Sequence, residues 1–294
     1  MTMIEKKKYE TSTAFKAALE SRLKSKAESM NRPYDTIRKL VAFDRLLARV
    51  FFARDEAFAL KGGYSLELRL GRSRTTQDVD LVIQNSLLLG PATDQGEEVK
   101  AILQYKLDND LGDYFTFRLG KVTQLLSTTI GGYRIQAKAL LGGTHFEEFH
   151  LDIAIAETDP TPLDELRGEA WLDFANIEQA KPLAIPQELQ FAEKLHAYTY
   201  QREGRENTRE KDLIDMVILI SRKLDPQKTK QRVDSVFSAR KTHELPIEIN
   251  KPPSSWGKVF AKHAEEMSYP GTIEDAFGTV RAFYSSYLTA AQTK

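Results

Sequence analysis

Between residues 12 and 53 the spacing of apolar positions is that of helices. TSTAFKAALESRLKSKAESM sets apolar side chains at helical intervals among good helix formers. After Asn31-Arg32-Pro33, the run YDTIRKLVAFDRLLARVFF repeats the pattern. It places Ile37, Leu40, Val41, Phe43, Leu46 and Leu47 on one side. The period then changes. AFALK (57–61) is short enough for a strand, Gly62-Gly63 breaks it, YSLELRL reads as a short helix, and DVDLVI reads as a second strand. Its period of two puts Val79, Leu81 and Ile83 on one face and Asp78, Asp80 and Val82 on the other. Residues 97–109 predict a connecting helix. YFTFRLG, YRIQAKALL and HFEEFHLDIAIA predict strands, the last two joined through Gly142-Gly143 as a hairpin.

Pro160 and Pro162 mark a loop, and KPLAIP (181–186) reads as a linker. From Gln187 onward the pattern is helical: QELQFAEKLHAYTYQRE, TREKDLIDMVILISRKL, PQKTKQRVDSVFSARK, SSWGKVFAKHAEEM and TIEDAFGTVRAFYSSYL. Thr272 and Asp275 are placed as a capping box on the last of these. The expected architecture is therefore α/β (α+β). Residues 1–180 form a mixed-sheet domain with N-terminal helices, and residues 187–294 form an all-helical domain.

A chain of 294 residues with 41% hydrophobic and 29% charged side chains fits a globular protein of one large or two ordinary domains. The absence of cysteine excludes disulfides and thiolate metal sites. The start, MTMIEKKKYE, has no apolar core after its basic residues, and no stretch approaches a membrane span, so a cytoplasmic protein without membrane contact is expected. The zero net charge hides an uneven distribution. Residues 1–50 carry 12 Lys/Arg against 6 Asp/Glu, and residues 201–262 carry 14 against 9. Basic flanks around an acidic centre suit a protein that holds a polyanion at its edges and cations at its centre; solvated helix faces are the alternative.

Asp78 and Asp80 project to one side of their strand. Neighbouring carboxylates repel unless something compensates, and a hard divalent cation such as Mg²⁺ is the common partner. Two-metal chemistry asks for a further oxygen ligand from a neighbouring strand, for which Asp152 in HLDIAIA is the candidate. Gly62 and Gly63, before a helix, allow close approach of backbone N–H groups to phosphate, and Ser65 offers a hydroxyl. No Walker A or GxGxxG pattern occurs. Arg74, Arg205, Arg209 and Lys211 are candidate contacts to a nucleotide or an RNA backbone, or else surface cations. The five histidines show no metal spacing, and His196 reads as a helix residue near the core. Tyr198 and Tyr200 are either base-stacking or core aromatics.

KGGYSLELRL…RTTQDVDL resembles the first motif of the DNA polymerase β-like nucleotidyltransferases. Its wording is similar to that of the AbiEii/MenT-type toxins. FAEKLHAYTYQREGRENTREKDLIDMVIL resembles their later motifs: a Lys-Leu-x-Ala helix, an Arg-rich turn, then Lys-Asp-Leu-x-Asp. The resemblance spans roughly residues 57–220. It implies a metal-binding pair Asp78 and Asp80, Asp152 as third carboxylate, and Gly62, Gly63 and Ser65 around the triphosphate. It makes Lys194 a contact to the nucleotide phosphates and Asp212 the support of that lysine or of the substrate, with Asp215 on nearly the same helix face. Serine often stands at the position of the second glycine; here it is glycine, followed by Tyr64.

The implied protein is the toxin of a toxin–antitoxin or abortive-infection system, with a cognate antitoxin partner and a cleft between its two domains. It would use two Mg²⁺ ions and an NTP, a pyrimidine preferred, to add a nucleoside monophosphate to the 3′ end of tRNA, blocking aminoacylation and translation. A small-molecule nucleotidyltransferase that modifies an antibiotic, a phosphate-transferring toxin, and a non-catalytic module retaining the fold are the rival readings.

Overall fold

The computed structural model describes residues 9–71, 76–88, 95–125, 131–201, 204 and 206–290. The chain divides into two units. One runs up to Ile155 and includes Leu163–Ala184; the other comprises Ala156–Pro162 and everything from Ile185.

The first unit opens with helices α1 (Ser12–Ser29) and α2 (Tyr34–Val50). Strand β1 (Phe58–Lys61), helix α3 (Gly62–Leu70) and strand β2 (Val79–Ile83) follow. Next come α4 (Gln95–Leu107), β3 (Phe115–Gln124), β4 (Gly132–Leu141) and β5 (Thr144–Ile155). The short strands β6 (Asp164–Glu165) and β7 (Leu183–Ala184) complete it. Among the described residues these strands form one mixed seven-stranded sheet, in the order β3-β4-β5-β2-β1-β7-β6. β2 runs parallel to β5, and β1 parallel to β7; the other pairs are antiparallel.

Burial follows the sequence pattern. Ile37, Leu40, Val41, Phe43, Leu46 and Leu47 of α2 are all buried, together with Phe15, Leu19 and Leu23 of α1. They share one core with Val79, Leu81 and Ile83 of β2 and with alternate residues of β3 to β5. The same buried stretch of α2 also carries Asp44, Arg45 and Arg49. Arg49 forks onto Asp113 at 2.9 and 2.5 Å, and Arg45 bonds Asp44 at 2.8 Å. Burial pushes the Asp44 carboxyl above its ordinary value, and Arg45 and the Ala180 N–H, which bonds it at 2.9 Å, work against that shift.

Three elements differ from the sequence expectation. The α3 helix starts at the two glycines, not after them. The supposed linker KPLAIP contributes β7, whose Ala184 pairs with Leu60 and is buried. β6 had no signal at all. The Gly142-Gly143 hairpin is as expected: both residues have positive φ, +58° and +78°, the backbone a two-residue turn of this hand requires.

The second unit is helical: α5 (Gln187–Thr199), α6 (Glu210–Ser221), α7 (Pro226–Arg240), α8 (Gly257–Glu266) and α9 (Ile273–Ala290). The capping box at α9 is formed in both directions, by Asp275 N–H to Thr272 Oγ1 at 3.1 Å and Thr272 N–H to Asp275 Oδ2 at 2.9 Å. The 156–162 segment is tied into this unit through Arg232, which donates to the carbonyls of Asp159 and Thr161, and through Arg240 on Glu157. No helix among the described residues is long and apolar enough to cross a membrane.

Candidate active site

Strand β1 ends at Lys61 in extended backbone, and Gly62 turns the chain into α3 with φ +64°. In the β1–β2 ladder Lys61 stands opposite Asp80. The Asp80 side chain lies so close over Gly62 that a Cβ there would overlap its carboxylate. Gly62 therefore meets two demands at once: a left-handed backbone and room for an acid. The place has a further consequence. The first turn of a helix carries a partial positive charge, which favours a carboxylate beside it. Ser65, fully buried, donates its hydroxyl to the Gly62 carbonyl at 3.0 Å and so braces this turn from within.

The strand ladder brings three charged residues level. Asp80 of β2 is in register with Asp152 of the parallel strand β5, and Asp152 is in register with Arg134 of β4. Arg134 grips Asp152 with both arms of its fork: Nε to Oδ1 and Nη2 to Oδ2, each 2.7 Å. The same Nη2 lies 3.4 Å from Asp78 Oδ2, and His150 Nδ1 lies 3.6 Å from Asp78 Oδ1. The Asp152 hydrogen bonds hold the Arg134 guanidinium more firmly protonated than usual, with the charges of Asp152, Asp78 and Asp80 adding to the effect. Neither Arg134 nor His150 stood among the sequence candidates for this site.

The partly exposed oxygens of Asp78 and Asp80 are the hard donors that Mg²⁺ prefers, and Asp80 is held in a fixed place by the Gly62 cradle. This pair fits a cation. Asp152 stands apart from this pair, its two oxygens each accepting a bond from Arg134. Among the described residues no three acidic or imidazole side chains are gathered around a common point. Asp80 and Asp152 share one strand level, Asp78 stands two residues before Asp80, and the three are not gathered onto one ion.

In the helical unit, Lys194 of α5 lies between two carboxylates of α6. Its Nζ is 3.0 Å from Asp212 Oδ1 and 2.5 Å from Asp215 Oδ2. The i, i+3 spacing in Lys-Asp-Leu-Ile-Asp points both acids from one face of α6 at the lysine. Asp215 is fully buried; Lys194 and Asp212 keep only 12% and 15% of their side-chain surface. Asp212 is shared with Arg209, 3.6 Å away, so two cations serve two acids.

The remaining sequence candidates fall as follows. Arg74 and Arg205 lie outside the described residues. Lys211 is exposed. Tyr198 is core: it is 5% exposed, packs edge-on to Trp256 and donates its hydroxyl to the Asn250 carbonyl. His196 is buried. Its Nδ1 lies 3.2 Å from Arg240 and its Nε2 2.9 Å from the Thr242 hydroxyl. The chain continues through Thr242 to His243 Nδ1 at 3.1 Å, and from His243 Nε2 to Thr199 at 2.8 Å. An arginine only donates, so His196 carries its proton on Nε2. Burial, with Arg240 and His243 nearby, pulls its pKa down to about 3.

A family model described as nucleotidyl transferase AbiEii toxin, type IV TA system, matches residues 45–278. Among solved structures, MenT4, a nucleotidyltransferase toxin from Mycobacterium tuberculosis H37Rv, superposes with a TM-score of 0.50 at 15% identity, over 90% of this chain and 98% of that one. A candidate nucleotidyltransferase from H. pylori gives 0.43 at 13% identity, over 86% and 94%. No curated protein matches the sequence. At such identities the MenT4 likeness speaks for the fold, which is the mixed-sheet architecture with helices described above.

Proposed function

The chain belongs to the AbiEii nucleotidyltransferase toxin family of type IV toxin–antitoxin systems, and on that premise we propose that it adds a nucleoside monophosphate from an NTP to the 3′ end of tRNA. The observation that supports this reading most is the level row of Asp80 and Asp152 on parallel strands, with Asp80 set over the glycine that starts α3. An acid fixed beside a glycine-opened helix terminus suits a triphosphate with its counter-ion.

In the proposed reaction a 3′ hydroxyl attacks the α-phosphorus of the NTP, a new P–O bond forms, the bond to the β-phosphate oxygen breaks, and pyrophosphate leaves. The chain's own groups have three tasks. The backbone at Gly62 and Gly63 binds phosphate oxygens through its N–H groups, which do not need to reorganise as charge develops. Asp78 and Asp80 would hold Mg²⁺, which when bound withdraws charge from the phosphates and acidifies the attacking hydroxyl. Lys194, paired with Asp212 and Asp215, is assigned to the phosphates that become more negative as pyrophosphate departs. Arg209 stands behind it as the second cation on Asp212.

The test is to incubate the purified protein with total tRNA, Mg²⁺ and each labelled NTP in turn. One or a few nucleotides added at the 3′ end are expected, with a pyrimidine preferred. tRNA whose 3′ end has been oxidised to a dialdehyde should bind without being extended. Extension of that blocked tRNA, or transfer to an aminoglycoside-like hydroxyl compound with none to tRNA, would replace this reading with that of another nucleotidyltransferase.

A further inference from the structure

Building on the nucleotidyltransferase reading of this site, we propose that Arg134 is a resident cation of the active site. It stands beside Asp152 where a second metal ion would otherwise bind, so that the nucleotide-free protein holds one divalent ion, on Asp78 and Asp80. The geometry is that of a built-in part. Arg134, Asp152 and Asp80 are in register on three adjacent strands, and the guanidinium meets Asp152 through two parallel bonds of 2.7 Å. It also reaches Asp78 at 3.4 Å, so one cation joins the acids of β5 to those of β2. A bidentate, charge-assisted pair of this kind is among the strongest polar contacts a side chain makes. Arginine cannot be deprotonated to release it.

The charge balance points the same way. Asp78, Asp80 and Asp152 against Arg134 and one divalent ion sum to zero, and Lys61, opposite Asp80 in the β1–β2 ladder, adds a further positive charge beside them. A second ion would add two more positive charges, and it would have to share the Asp152 oxygens with a guanidinium that already donates to each of them. Arg134 is thus a positioning residue. It fixes the Asp152 rotamer and limits the ions that the carboxylates accept before the nucleotide brings its own.

Counting bound Mn²⁺ by electron paramagnetic resonance on the full chain without nucleotide tests this. The wild type should bind one ion, Arg134→Lys one, and Arg134→Gln two. In chelator, Arg134→Gln should melt several degrees below the wild type, and Mg²⁺ should restore it. Two ions on the wild type, or one on Arg134→Gln, would overturn the proposal. If NTP consumption persists in either case, the nucleotidyltransferase reading survives. No ion and no NTP consumption by the wild type would remove both. Should Arg134→Gln fail to fold, Asp152→Asn decides. Mn²⁺ affinity within about twofold of wild type supports the proposal, and a tenfold or greater loss shows that Asp152 is a ligand of the first ion and overturns it.

Discussion

The hydrogen atom that Gly62 carries in place of a Cβ sets where Asp80 can lie. Gly62→Ala asks a left-handed backbone of a residue that disfavours it and drives a methyl group into the Asp80 carboxylate. The expected result is a loss of about 1–3 kcal/mol in thermal or denaturant unfolding and a larger loss of nucleotidyl transfer, since Asp80 must move. Gly143→Ala is the control: it has positive φ but open space around it, so it should show a similar backbone cost with transfer intact. Equal transfer in both variants would detach Gly62 from the chemistry. The Gly-Gly and the two aspartates were legible in the sequence because each breaks a local rule, glycine after a strand and like charges on one strand face. Arg134 was not legible. Counting back from the Gly142-Gly143 turn, it should face Leu151. A bulge leaves Phe146 without a partner and slips the register by one, which puts Arg134 opposite Asp152. A single unpaired residue inside an otherwise alternating strand has no signature in hydropathy.

Among the elements, α5 couples two kinds of chemistry. Lys194 on one side neutralises the fully buried Asp215, and His196 two residues on anchors the helix to Thr242 and Arg240. Lys194→Ala should therefore do more than remove the proposed phosphate contact. It leaves a buried carboxylate without its cation, a change that costs about 3–5 kcal/mol. Adding Asp215→Asn should restore most of that stability while transfer stays lost, which separates the structural part from the functional one. Recovery of transfer in the double variant would show that Lys194 acts only as scaffold.

The His196 network predicts a pH dependence. The folded pKa is held down to about 3, below the unfolded value of 6.5, so the fold favours neutral imidazole. That contribution is complete above about pH 6.5 and falls as pH drops towards 3, by up to about 1.4 kcal/mol per unit. Unfolding measured from pH 7.5 to pH 5 should show this loss, and His196→Gln should flatten it; an unchanged slope would assign it to other groups. The helices were legible from their 3.6 period and caps, Thr272 and Asp275 included. β7 was not, because a two-residue strand between Pro182 and Pro186 has the composition of a linker and is a strand only through its pairing with β1.

For the whole molecule, the basic flanks counted along the sequence are not equal once folded. In residues 1–50, Arg45 and Arg49 are buried on Asp44 and Asp113, Arg38 donates to the Phe146 carbonyl, and Lys26 pairs with Glu169. Among the described residues of this stretch only the cations Arg22 and Lys24 are exposed. In the helical unit, Lys211, Lys223, Lys228, Lys241, Lys251 and Lys258 are exposed and available to a polyanion. If tRNA is the acceptor, this second set should dominate its electrostatic hold. Each phosphate neutralised steepens the fall of log affinity with log salt by about 0.7 to 0.9. Changing Lys223, Lys228 and Lys241 together to Glu should therefore weaken tRNA binding and reduce the slope by about two units. Lys24→Glu, an exposed change on α1, should move it by less than one. Binding measured by fluorescence anisotropy between 50 and 300 mM salt, a range over which such contacts change affinity by orders of magnitude, resolves the difference. Equal slopes for the triple variant and the wild type would mean that the RNA is held elsewhere. Transfer from NTP to a short 3′ oligonucleotide, which needs few distant phosphates, should be affected far less than transfer to whole tRNA. Equal losses on both would show that the substituted lysines serve the nucleotide and not the body of the RNA.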